Sequence, residues 1–147
     1  MTGKLRTLIG LPLIILCLTF MAEASDKTGV DMVKDAKAVI TEMSPEKVKA
    51  LIDNKEPLVI LDVRDRDEFE TGYIPGAINI SRGTLEFKAN LMLPDKKARV
   101  IVYCGVDLRS PLATKTLNDL GYTNAVNLTG GLQAWKSAGY PVVKPGK

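Results

Sequence analysis

An α/β fold, with a mostly parallel central sheet flanked by helices on both faces, is predicted by two features of the sequence. Short apolar runs rich in β-branched residues, Leu58–Val63 with Asp62 as its one charged member and Arg99–Tyr103, are bounded by charge or proline, the pattern of strands buried on both faces. Between such runs lie stretches with helical spacing and helix start and stop signals, so strand and helix alternate along the chain. A sandwich would carry far fewer helices for its strands.

The N-terminus belongs to a different physical class. Lys4 and Arg6 form a positive n-region, Leu8–Phe20 is an apolar run broken only by Gly10, Pro12 and Thr19, and Ala22-Glu23-Ala24 is a small-x-small cleavage pattern. Residues 1–24 therefore read as a secretory signal peptide, and the expected location is periplasmic or secreted. The run falls short of the roughly 20 residues that cross a hydrocarbon core. No stable membrane insertion is expected after cleavage. Cys17 is read as an ordinary apolar residue of this run, since the bulky Leu16 precedes it.

Residues 25–38 are polar and rich in Lys and Asp, which reads as a spacer with a short helix over Val30–Ala38; the domain proper is expected over 39–147. Ser44-Pro45-Glu46 supplies an N-cap, a first-turn proline and a first-turn acid, and Val48, Leu51 and Ile52 follow at helical spacing to a stop near Asn54. After the strand Leu58–Val63, Asp65 and Glu68 form a capping-box signature for a short helix ending at Gly72. Ala77–Ile80 reads as a short strand, Leu85–Leu91 as a helix and Arg99–Tyr103 as a buried strand. Ser110-Pro111 opens a helix through Leu117 and Leu120 to Gly121. Ala125–Leu128 is the last core strand, and Gly130-Gly131 opens a helix through Trp135 that closes at Gly139.

Composition removes several classes of function. The formal net charge is +3, aromatics make up 5% of the chain and no dense basic block occurs, which argues against a nucleic-acid partner. The histidine count is zero, excluding His-activated nucleophiles and His-ligated metals. No metal or organic cofactor is implied. Once the signal peptide is gone, Cys104 is the sole thiol in an oxidising compartment, so it is either buried or used.

Cys104 follows the strand Arg99–Tyr103, at the carboxyl end where parallel sheets place their ligands. Gly105-Val106-Asp107-Leu108 separates it from Arg109, Ser110 and the start of a helix. A short loop ahead of a helix aims backbone N–H groups inward, and the helix dipole and Arg109 add positive potential, so an anion is favoured there. The first such anion is the thiolate itself; both influences are expected to lower a thiol pKa from its free value of about 8.5. Without further context, a last buried residue of a strand explains Cys104 equally well.

Three segments change that balance. Tyr103–Ser110 resembles the active-site loop of rhodanese-like sulfurtransferases; Leu61–Asp65 with Glu68-Phe69 and Gly72–Asn79 is similar to the family's N-terminal signature, and Leu128–Trp135 to the one near its C-terminus. The resemblance implies a single-domain rhodanese-like fold in which Cys104 takes a sulfane sulfur from a small anionic donor such as thiosulfate. Cys104 would hold it as a persulfide and pass it to a thiol, cyanide or protein acceptor. Gly105, Val106, Asp107, Leu108, Arg109 and Ser110 would bind the substrate. In this family a six-residue loop, counted from Cys104 to Arg109, goes with sulfur transfer, and related phosphatases carry one residue more.

Two loop positions depart from the family pattern: Asp107 stands where Gly is usual, and Val106 where Ser is frequent. If the Asp107 carboxylate points at the sulfur, it disfavours the thiolate; if it points to solvent or is neutralised by Arg109, it does not. The competing expectation, a non-catalytic rhodanese-like module binding a protein or small anion, rests on that carboxylate. Asp62 and Arg64 read as a structural pair, Gly72 and Gly76 as turns, Trp135 as core, and Arg82 and Lys136 as solvated charges.

Overall fold

A computed structural model describes residues 26–146; the signal-peptide reading falls outside that range. Among these residues five strands form one sheet: β1 (Thr41–Met43), β2 (Val59–Asp62), β3 (Ile78–Asn79), β4 (Val100–Tyr103) and β5 (Ala125–Leu128). Their order is β1-β5-β4-β2-β3 and every pairing is parallel. Parallel neighbours need a long crossover, and helices supply it: α2 (Pro45–Asp53), α3 (Arg66–Glu70), α4 (Leu85–Met92) and α5 (Arg109–Asp119) separate successive strands. A 3-10 turn at Arg82–Thr84 precedes α4, α1 (Gly29–Lys37) lies before the sheet, and α6 (Gly131–Ser137) follows it.

The unbroken apolar runs become buried strands for the expected reason. Along β4, Val100 and Val102 face a core shared with Leu85 and Ala89 of α4 and with Ala113 and Leu117 of α5. Ile101 and Tyr103 face the opposite core, with Val48 of α2 and Leu132 and Trp135 of α6. Both faces of the strand are therefore covered, and each large apolar side chain buried this way contributes roughly 1.5–3 kcal/mol over leaving it exposed. The Glu68 carboxylate accepts from the Asp65 N–H at 3.2 Å, as a capping-box glutamate does. Trp135 is buried and its Nε1–H donates to the Pro141 carbonyl at 2.9 Å, consistent with a core role.

Two segments differ from the sequence reading. Residues 25–38, expected to be a spacer, carry α1, whose Thr28 hydroxyl and Asp31 carboxylate cap its first turn reciprocally and whose Ala36 is buried. α1 packs on α5. The helix expected over Val30–Ala38 runs over Gly29–Lys37 instead, because Thr28 is the residue able to cap it. β1 was not expected, since Thr41-Glu42-Met43 has no apolar run. It forms because its backbone completes the edge of the sheet beside β5.

Candidate active site

Because the sheet is parallel, the carboxyl ends of its strands lie together. The chain turns outward from β2 toward β3 on one side and from β4 toward β5 on the other, which makes the β2–β4 boundary a topological switch point where ligands bind in such sheets. Cys104 immediately follows β4 there. Its side chain joins the core cluster under α4 and α5 and is 1% exposed, and it is the free cysteine among the described residues.

The loop after Cys104 is fastened from outside. The N–H groups of Leu132 and Gln133, at the start of α6, donate to the carbonyls of Cys104 and Gly105 at 2.8 and 3.0 Å. This approach requires glycine at position 131: a Cβ there would sit 2.6 Å from the Cys104 carbonyl oxygen, and its φ is +60°. With its carbonyls so occupied, the loop keeps its donors. Among the described residues, none of the N–H groups of Gly105, Val106, Asp107 and Leu108 donates to a protein acceptor. Val106 and Leu108 expose 57% and 51% of their surface around the buried sulfur. Ser110 is fully buried and its Oγ has no hydrogen-bond partner.

Arg109 does not point freely into this loop. Its guanidinium makes a two-pronged contact with the Glu68 carboxylate, Nη1 to Oε2 at 2.6 Å and Nη2 to Oε1 at 2.8 Å, with Asp65 3.7 Å away. Hydrogen bonding to Arg109, stronger than the opposing effect of burial, holds Glu68 below the ordinary glutamate pKa, so the pair is ionised at neutral pH. Sequence reading gave Glu68 only its capping role; its second role follows from the proximity of α3 to the loop. Asp62 and Arg64 are a structural pair, as expected. Arg64 Nε and Nη2 both reach the Asp62 carboxylate, and the same guanidinium holds the Glu68 and Gly72 carbonyls at 3.1 and 2.8 Å.

Asp107 is neutralised, but not by Arg109 as considered from the sequence. Its Oδ2 receives Lys37 Nζ at 2.5 Å and its Oδ1 receives Asn127 Nδ2 at 2.8 Å. Arg109 is already engaged with Glu68, which leaves the last residue of α1 to supply the charge. Burial works against the charged form of Lys37, yet its contacts with Asp107 and Glu42 outweigh that and raise its pKa above the ordinary lysine value. Lys37 and Asn127 carried no sequence signal of their own; the signal was the unexplained carboxylate at 107.

Beside the loop lies a cleft of about 320 Å³ lined by Arg64, Glu68, Gly105, Gln133 and Lys136, among others. Lys136 is exposed, as read from the sequence, but it faces this cleft rather than open surface alone. A buried sulfur, four loop amides without protein acceptors among the described residues and a cleft whose two cations, Arg64 and Lys136, outnumber the Glu68 carboxylate suit a small anion arriving at Cys104.

A family model for the rhodanese-like domain matches residues 44–138. The chain belongs to the rhodanese-like domain family. Among relatives, a sulfurtransferase of Allochromatium vinosum is 28% identical over 107 residues, which is 73% of this chain and 98% of that one. A Bacillus subtilis protein described as a sulfur carrier is 33% identical over 96 residues, 65% of this chain; the match spans 51%, about half, of that relative. A solved structure from Rhodopseudomonas palustris, described as a protein of unknown function and possible tyrosine phosphatase, superimposes with a TM-score of 0.73 at 32% identity, covering 84% of this chain and 99% of that one. The rhodanese-like α/β fold read from the sequence is thus the fold found, and the chain's relatives include sulfurtransferases and sulfur carriers. α1 and β1 precede the matched segment of this rhodanese-like chain.

Proposed function

We propose that the protein is an exported sulfurtransferase or sulfane-sulfur carrier that uses Cys104 as its covalent carrier. The Cys104 thiolate attacks the outer sulfur of thiosulfate, the sulfur–sulfur bond breaks, and sulfite leaves with the bonding electrons. The enzyme is left as a persulfide. A thiol, cyanide or protein acceptor then attacks the terminal sulfur and returns the Cys104 thiolate. Each species in this sequence is anionic, and a persulfide donor would load the same site with a thiolate as leaving group.

The observation that carries the reading is the loop itself: Cys104 beside four N–H groups that have no protein acceptor among the described residues, backed by Arg109. Preorganised donors of this kind stabilise charge without reorganising during reaction. Capture of Asp107 by Lys37 and Asn127 speaks against the non-catalytic alternative. The six-residue span from Cys104 to Arg109 favours sulfur over the larger phosphoryl group. Incubating the mature protein with thiosulfate and measuring intact mass should show one added sulfur atom that a thiol reductant removes; an unchanged mass with both thiosulfate and a persulfide donor counts against sulfur transfer.

Export rests on residues 1–24, whose charge, apolar length and Ala22-Glu23-Ala24 pattern agree. N-terminal sequencing of the exported form should begin at Ser25. An intact leader in the membrane fraction would show an anchor instead.

Arg109→Ala is expected to lower kcat/KM for thiosulfate by about tenfold, near 1.4 kcal/mol, since it removes a charged donor and exposes the Glu68 carboxylate that Arg109 had neutralised. Rates with a persulfide donor, which carries less charge than the thiosulfate dianion, should change much less. An equal loss with both donors would mean that Arg109 shapes the loop and does not bind charge.

A further inference from the structure

Asp107 brings two costs into the loop. Its φ is +67°, a left-handed conformation that costs a non-glycine residue roughly 1–2 kcal/mol, and its carboxylate is buried, a position that charge tolerates only when paired. The charged and polar groups that meet it come from three elements. Lys37 ends α1 and reaches Oδ2 at 2.5 Å; Asn127 of β5 reaches Oδ1 at 2.8 Å; Glu42 of β1 lies 3.4 Å from Lys37 and accepts from the same Asn127 amide at 2.9 Å. Arg109, within the loop, is turned to Glu68.

Two carboxylates therefore share one lysine and one side-chain amide. Without Lys37, Asp107 and Glu42 would repel each other across Asn127, and Asp107 would be driven to seek other donors. The free amides of its own loop are the nearest such group in sequence, and they are the donors an anion at Cys104 needs.

We propose that Lys37 is a positioning residue for Cys104: by anchoring and neutralising Asp107 from a helix outside the family-matched segment, it keeps the loop amides and the local potential available to the sulfur. α1 is thereby part of the active site, held by its Thr28–Asp31 cap and its packing on α5. The consequence for turnover rests on the sulfur-transfer reading; the consequence for Cys104 reactivity does not.

The test measures the rate of Cys104 alkylation by iodoacetamide against pH, with circular dichroism confirming the fold of each variant. Lys37→Met should alkylate several-fold more slowly at neutral pH, because the carboxylate left without its cation disfavours the thiolate. Lys37→Arg should stay within about threefold of the unaltered protein, because it restores the cation. In an Asp107→Gly background, where φ of +67° suits the residue and no carboxylate remains, Lys37→Met should change the rate by less than about twofold. A Lys37→Met profile superimposable on that of the unaltered protein would overturn the proposal. So would an equal loss in the Asp107→Gly background, the result if Lys37 merely stabilised α1. Absence of sulfur loading by the unaltered protein would count against the proposed function alone, since the alkylation cycle needs no sulfur donor.

Discussion

Cys104→Ser should abolish sulfur loading from thiosulfate and from persulfide donors, and lower sulfur-transfer turnover by on the order of a thousandfold or more. Cys104 is the free cysteine among the described residues, which hold no second thiol on which a persulfide could form. A serine hydroxyl stays protonated at neutral pH and cannot take its place. The substitution is close to isosteric, so the sheet should remain intact; placing a hydroxyl among the apolar side chains around Cys104 costs roughly 1–3 kcal/mol at most. Thermal unfolding separates that small loss from the loss of chemistry. Sulfur loading that persists in a folded Cys104→Ser protein would remove Cys104 from the mechanism. Because the described residues hold no resolving cysteine, release of the sulfur would depend on an external acceptor.

Asp62→Ala should be the most destabilising single change near the site, at about 3–5 kcal/mol. The Asp62 side chain is fully buried and that of Arg64 is 5% exposed, so solvent cannot replace the lost carboxylate. Arg64 would retain the Glu68 and Gly72 carbonyls but lose its compensating charge. For a fold of this size the change corresponds to a fall in Tm of roughly 10–20 °C. Adding Arg64→Met should recover part of the loss, because removing both partners leaves no unpaired buried charge. Denaturant unfolding of the two variants decides the matter: a cost below about 1 kcal/mol for Asp62→Ala would show a pair that water can reach. Arg64 Cδ lies 4.0 Å from where a Cβ on Gly105 would sit, so its displacement would also disturb the loop after Cys104.

Much of the molecule was legible in the chain because its signals are local. Strands buried on both faces are mostly apolar, and so Val100–Tyr103 announces itself as a run. Helix ends must satisfy their free N–H groups, and so Ser44-Pro45 and Asp65 with Glu68 mark where α2 and α3 begin. Once those elements alternate, the residue after β4 and before α5 lies at the carboxyl edge of the sheet, which placed Cys104 and Arg109 at the site. The edge strand Thr41–Met43 escaped this reasoning because its stability lies in backbone pairing with β5, which needs no apolar pattern.

Local pattern in the chain is enough for the alternation of the core strands β2, β4 and β5 with their helices, for the place of Cys104 after β4 and for the absence of imidazole chemistry. Which charge answers which depends on the folded chain. Glu68 and Arg109 are 41 residues apart and Lys37 and Asp107 are 70 apart, and spacing does not single out one lysine or arginine among the 20 basic residues. A helix or strand is specified by periodicity within a few residues, whereas an ion pair needs only that two long side chains end in the same place. For Lys37 and Asp107 that place exists only once α1 has packed on α5.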